Sequence, residues 1–245
     1  MAKPGTFIRD IMDPDPILVE VGADQKKAAR LMQRYDLLAL PVVDADRMLV
    51  GMITYDDLLD VLEDEATEDI YRLGGVPKEK PTNVPFSTAF KIRMPWVALN
   101  LGTHLISALV LSAFEETIAQ MAVLAAFLPI VAGVSGSAAT QTLTVTVRGI
   151  AIGDIEPQEG LSILAREIGL GLFNGLSMGI AIAIIAYFWK GSAVIGVVVG
   201  LAALLNMVCA GFAGVVVPVA MQIIKFDPAL ASPILVTTLL ITNIL

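Results

Sequence analysis

The sequence predicts an α-helical membrane bundle of five transmembrane helices, preceded by a small α/β module. Three observations carry this reading. The chain is 56% hydrophobic over 245 residues, with a mean hydropathy of +0.77, too apolar for a water-soluble domain. Its charge is segregated: residues 1–85 hold 10 Lys+Arg and 17 Asp+Glu, whereas the other 160 hold 6 and 7. Periodicity divides the chain at the same place, with apolar runs of about 20 residues in the second part and short alternating stretches in the first.

The module reads as strand, helix, strand, strand, helix. Residues 17–21, "ILVEV", form a strand. Asp24 caps a helix that reaches Tyr35, with Ala28, Leu31 and Met32 on one face. "LPVVD" is a short buried strand, Asp44–Arg47 a turn, "MLVGMIT" a second strand, and Tyr55–Leu62 a helix. "MAKPGTFIRD" carries no apolar run, so no signal peptide is read there and a cytoplasmic N-terminus is expected. Cys209, the single cysteine, excludes an internal disulfide and reads as a small buried hydrophobe.

An acidic stretch follows. "DVLEDEATEDIYRL", residues 60–73, holds Asp60, Glu63, Asp64, Glu65, Glu68 and Asp69 before its first cation, Arg72. Like charges three or four apart repel on a helix. Oxygen ligands at that density suit a hard divalent cation such as Mg2+, or they form no more than an acidic solvated face.

Five apolar segments follow: residues 95–114, 117–147, 162–188, 192–222, and Pro228 to Leu245. The last is slightly short, as though cut. The organisation expected is a module over 1–62, an acidic connecting helix and linker over 63–94, and a membrane domain over 95–245. With the N-terminus inside, Lys91, Arg93, Arg148, Arg166 and Lys225 lie at cytoplasmic span ends and Lys190 outside. Trp96, Tyr187, Phe188 and Trp189 fall at the interfaces. "GLGLFNGLSMGIA" and "CAGFAGVVVPVA" carry the small residues that let helices approach closely in lipid.

The second span is the unusual one. "IVAGVSGSAATQTLTVTVRG", residues 130–149, places glycines, serines, threonines and a glutamine where oil is expected. Glycines at 133 and 136 are expected to break or loosen this helix, since unwound backbone at membrane depth is tolerated where it lines a cavity. Freed carbonyls, with Ser137, Thr140, Gln141 and Thr144, would then face a hydrated ion. Packing through small residues, with hydroxyls bonded to the preceding turn, is the competing reading. Glu115 and Glu116 follow the first span, Glu167 sits near the inner end of the third, and Asn174 and Asn206 suit interhelical hydrogen bonds. Ser/His/Asp, CxxC, HExxH and Walker patterns do not occur, so enzymatic chemistry has no support here. Nothing in the sequence suggests nucleic-acid binding either.

The module over residues 6–62, with "LPVVD", then "GMIT" and "DDLLDVL", resembles a CBS domain. That resemblance implies an adenine nucleotide held at Thr54 and Asp57, which also read as a plain helix cap. The acidic helix and five spans after it, through "AFLPIVAGVSGSAATQTLTVTVRGIAIGDI" and "DPALASPILVTT", resemble the MgtE-type magnesium channels and transporters. The likeness implies a multi-pass protein of the inner (cell) membrane, a homodimer embedded in lipid. Its pore at the dimer axis would be lined by the second and fifth helices. On this sequence the lining is Gly133, Gly136, Ser137, Thr140, Gln141, Thr144, Thr237, Thr238 and Asn243. Cytoplasmic Mg2+ at Asp57, Asp60, Asp64, Glu65, Glu68 and Asp69 would close it. Two departures stand out. "SGS" occupies 135–137 where the family usually has "GGN", and Ile241 stands where it has a pore acid. The alternative function is a membrane-anchored sensor of nucleotide or Mg2+ that moves no ion.

Overall fold

The computed structural model describes residues 5–76, 84–116, 122–155 and 160–243, apart from the side chains of 230–232 and 241–243. Its contacts separate two compact units, Met1–Glu68 and Asp69–Leu245.

The first unit is built on a three-stranded sheet in the order β1 (Val19–Glu20), β2 (Ala39–Val43), β3 (Leu49–Thr54). β1 runs parallel to β2, and β2 antiparallel to β3, with Leu40 opposite Ile53. Helix α1 (Gln25–Arg34) makes the crossover between the parallel pair, as such a pair requires. Asp24 starts it by accepting from the Lys26 amide at 2.9 Å, which satisfies one of the helix's orphan donors. The β2–β3 turn is held by Asp44, whose Oδ1 accepts from the amides of Asp46 and Met48 at 3.0 and 2.9 Å. The core is Val19, Ala28, Ala29, Met32, Leu40 and Leu58, each buried. A residue such as Leu40 contributes about 1.5–3 kcal/mol by leaving water.

The helix after β3 is longer than expected. α2 runs unbroken from Tyr55 to Leu73, so the module's last helix and the acidic connecting helix are one element. Its early carboxylates, Asp56 and Asp57, sit at the positive end of the helix dipole. Asp56 is held below its usual pKa by side-chain hydrogen bonding with Thr54 and by the amides of Asp56 and Asp57.

The second unit is helical: α3 (Phe86–Ser112), a one-turn α4 (Ala122–Ala125), α5 (Leu128–Ile152), α6 (Gly160–Lys190), α7 (Ala193–Ile223) and α8 (Pro228–Asn243). Among the described residues, four stretches are long and apolar enough to cross a membrane: Phe86–Ser112, Ala122–Ile152, Gly160–Lys190 and Ala193–Ile223. The expected fifth span is present as α8, an apolar helix of 16 described residues. The chain is therefore a multi-pass membrane protein, with four spans of full length among the described residues and α8 as a further apolar helix. The first span also begins earlier than expected, at Phe86 rather than residue 95.

Small residues set the packing. α6 and α7 lie so close that a Cβ added at Gly171 would sit 2.8 Å from the carbonyl oxygen of Met207, and one at Gly179 2.6 Å from that of Gly200. This is packing without a hydrophobic driving force, made by close van der Waals approach. One core joins Ala139, Leu143 and Val147 of α5 to Ala210 and Ala213 of α7 and to Val236 and Leu240 of α8. Another joins Phe127 and Val131 to Ile182 and Ala186 of α6 and to Val199 and Ala203 of α7.

Candidate functional site

The second span corrects one expectation. α5 is continuous through Gly133 and Gly136 from Leu128 to Ile152, so these glycines do not unwind it. Pro129 lies in its first turn, where a missing N–H costs nothing. Gly153 ends it in the left-handed conformation, φ 81°, as C-terminal glycines do. The hydroxyls turn back on the helix instead of freeing its carbonyls. Ser137 donates to Gly133 O at 3.0 Å, Thr140 to Gly136 O at 2.9 Å, and Thr144 to Thr140 O at 2.7 Å. Each hydroxyl thereby meets its donor need at membrane depth, and its own oxygen remains an acceptor.

The faces of α5 are sharply divided. Val131, Ser135, Ala139, Leu143, Thr146, Val147 and Ile150 are buried against the bundle. Gly133, Ser137, Thr140, Gln141 and Thr144 are exposed, and Gly136 half-buried. Their spacing of 133, 136/137, 140/141 and 144 repeats every three to four residues, so they share one stripe. A polar stripe on a membrane helix faces a partner or water rather than acyl chains. α8 packs against α5 through Val236 and Leu240. On it Thr237 is exposed and Thr238 half-buried, each hydroxyl donating to the carbonyl four residues back at 2.8 Å. Asn243 ends α8 with its side chain outside the described residues, as is that of Ile241.

On the packed side of α5, Asn206 makes the interhelical hydrogen bond expected of it. Asn206 of α7 donates from Nδ2 to Ser135 Oγ at 2.7 Å, and Ser135 donates on to the Val131 carbonyl. Thr142 Oγ1 donates to Glu167 Oε2 at 3.0 Å, joining α5 to α6. Glu167 is buried, and this hydroxyl is the hydrogen-bond donor that it meets. Ser135 stands out in the sequence only as part of "SGS", and Thr142 lies one residue off the polar stripe. They are legible in retrospect by their offset from the exposed stripe.

In the first unit, the turn from β3 into α2 brings Thr54 and Asp57 together. Asp57 Oδ2 accepts from both the amide and the hydroxyl of Thr54, at 3.1 and 2.8 Å. Asp57 thus reaches back from the first turn of α2 to the amide of the residue that precedes the helix, one half of a capping box. Asp57, Asp60, Asp64 and Glu68 recur at three- and four-residue spacing along one side of α2. The first three are exposed, Asp69 is half-buried and Glu68 is buried. Glu65 turns elsewhere. It meets Lys26 Nζ at 2.6 Å and accepts from Gln25 Nε2 at 3.0 Å, so α1 supplies a cation to the acidic stretch. Among the described residues, no three His, Cys, Asp or Glu side chains gather closely enough to hold a metal ion.

Comparison with known proteins gives these sites a context. Residues 128–240 match the MgtE family model, described as a divalent cation transporter, and residues 8–64 match the CBS domain. The chain is 34% identical over 239 residues to the magnesium transporter MgtE of Bacillus subtilis, covering 98% of this chain and 53% of that protein. It is 36% identical over 234 residues to MgtE of Enterococcus faecalis (96% and 51%). Against MgtE of Thermus thermophilus it is 35% identical over 244 residues (98% and 53%). The chain spans about half the length of the curated relatives it matches. The chain thus carries a CBS domain followed by a stretch that matches the MgtE family model, and its similarity to MgtE proteins runs along nearly all of its length.

Proposed function

We propose that this chain moves Mg2+ across the cell membrane, as a homodimer in which the exposed stripe of α5 and Thr237 of α8 line the ion path. The observation that carries this is the stripe itself. Ser137, Thr140, Gln141 and Thr144 stand exposed on a membrane-spanning helix whose other side is packed. A second copy laid against that face would enclose it. Neutral oxygens suit Mg2+, which gives up its water shell reluctantly and is handled through it. The relatives named magnesium transporters support the same cargo. Basic residues at alternate span ends support a cytoplasmic N-terminus.

The working division is a module over 1–62, a connecting segment over 63–94 and a membrane domain over 95–245. Cytoplasmic Mg2+ would act as a regulator at Asp57, Asp60, Asp64, Glu65, Glu68 and Asp69, screening carboxylates that otherwise repel along α2. The test is Mg2+ uptake into proteoliposomes. The expected result is saturable uptake that falls as Mg2+ rises on the module's side. Absence of uptake by the wild-type chain and by Ile241→Asp would overturn transport.

Ile241 favours a second reading, because an apolar residue there leaves the end of α8 without a carboxylate. On that reading the module senses adenine nucleotide at Thr54 and Asp57, or Mg2+, and passes the signal to partner proteins. Calorimetry of the full chain separates the two: tight ATP binding without uptake supports the sensor.

A further inference from the structure

A buried carboxylate stands beside the polar face and outside the set that the ion path uses. Glu167 is the eighth residue of α6 and 8% exposed. Its Oε2 accepts from Thr142 at 3.0 Å. A carboxylate offers about four acceptor positions. Within hydrocarbon its charge is sustained by a counter-charge or by water. α5, α6 and α7 leave room for one. A cavity of about 190 Å3 adjoins the carboxylate, with Gln141, Thr142, Arg166, Glu167 and Asn174 as its polar lining. That is space for several waters. Gln141 belongs both to this cavity and to the exposed stripe of α5, so the two adjoin.

We propose that this cavity is a side chamber for a hydrated divalent cation, held by the carboxylate of Glu167 through the cation's own water shell. Thr142 fixes the carboxylate's orientation, and Gln141 and Asn174 accept from the shell. The chamber supplies the membrane-embedded negative charge that Ile241 withholds from the end of α8. Arg166, exposed at the rim, opposes the bound cation and keeps its residence short, as a conducting path needs. This inference rests on the reading of α5 as the wall of an ion path.

The test uses the full chain in detergent, with Mn2+ as probe, counted by electron paramagnetic resonance and competed with Mg2+. Glu167→Gln keeps an acceptor for Thr142 and removes the charge, so the fold is retained. It is expected to bind one Mn2+ fewer per chain than wild type, whatever the module's acids bind. Arg166→Gln is expected to keep that ion and tighten it about two- to fivefold, the scale of an exposed charge pair. An equal Mn2+ count and affinity in wild type and Glu167→Gln would overturn the proposal. Uptake into proteoliposomes is measured alongside. A Glu167-dependent Mn2+ in a chain that moves no Mg2+ leaves the chamber standing and removes the transport reading. Uptake with no Glu167-dependent Mn2+ does the reverse.

Discussion

The amide of Asn206 on α7 donates to the hydroxyl of Ser135 on α5 at 2.7 Å, inside a packed helix interface. Both residues are 1% exposed. The hydroxyl passes the bond on to Val131 O, whereas Asn206 Oδ1 finds no partner among the described residues. The two side chains are therefore unequal. Removing Ser135 strands a buried amide. Removing Asn206 strands nothing, because Ser135 keeps its own acceptor.

This asymmetry gives a signed prediction. Ser135→Ala is expected to cost about 1–2 kcal/mol, the penalty for an unpaired buried polar group. Adding Asn206→Ala should recover part of that loss, since the stranded group leaves with it. Thermal unfolding of the two variants in detergent measures this. A double variant less stable than Ser135→Ala by the full cost of a second deletion would refute the account.

The α6–α7 contact predicts a second outcome. Gly179 has the Gly200 carbonyl oxygen 2.6 Å from where its Cβ would stand, whereas Gly169 on the same helix has open space. Gly179→Ala must push the helices apart, so its unfolding midpoint should fall. Gly169→Ala meets nothing and gains about 1 kcal/mol of helix propensity, so its midpoint should hold or rise. The reverse order would show that these glycines do not set the packing.

Much of this was legible in the sequence, and the reasons are physical. The module's elements follow from period and caps: Asp24 starts α1 and Asp44 makes the hairpin turn, both short-range effects. Apolar length revealed the spans because hydrocarbon demands it. The intact α5 was legible only as the competing reading, in which hydroxyls bond to the preceding turn. Glycine is costly in a helix by propensity, but hydroxyls bonded to Gly133 O and Gly136 O satisfy the turn. The Lys26–Glu65 pair was hidden. The run of acids before Arg72 holds no cation, and the partner of Glu65 comes from 39 residues earlier on α1. Likewise Thr142–Glu167 joins two helices, and periodicity on one helix does not name the partner on another.

Lys26 carries a third prediction. It pairs with Glu65 at 2.6 Å, the lysine side chain 40% and the glutamate 16% exposed. If Glu65 serves as an Mg2+ ligand, Lys26 competes for it. Lys26→Gln removes the competitor and one positive charge, so Mg2+ affinity of the full chain should rise about two- to fivefold, read by calorimetry. The stability cost should stay under about 1 kcal/mol, as for other partly exposed pairs. Affinity unchanged would take Glu65 out of the metal-binding set.

The last prediction separates an ion path from helix packing. Thr140 and Thr146 make the same bond, each hydroxyl donating to the carbonyl four residues back, at 2.9 and 2.8 Å. They differ in where they stand: Thr140 is on the exposed stripe, Thr146 is buried. Threonine to valine keeps the shape and removes the hydroxyl, together with the acceptor oxygen it shows its surroundings. At Thr146 the surroundings are protein, so uptake of Mg2+ should be unaffected. At Thr140 they are the proposed path, and the change replaces a wetting oxygen with a methyl. Uptake by Thr140→Val should fall about tenfold, equivalent to roughly 1.4 kcal/mol in the barrier. Its unfolding midpoint should match that of Thr146→Val, since both lose the same local bond. Equal uptake by the two variants would mean that the stripe of α5 contacts something other than the moving ion.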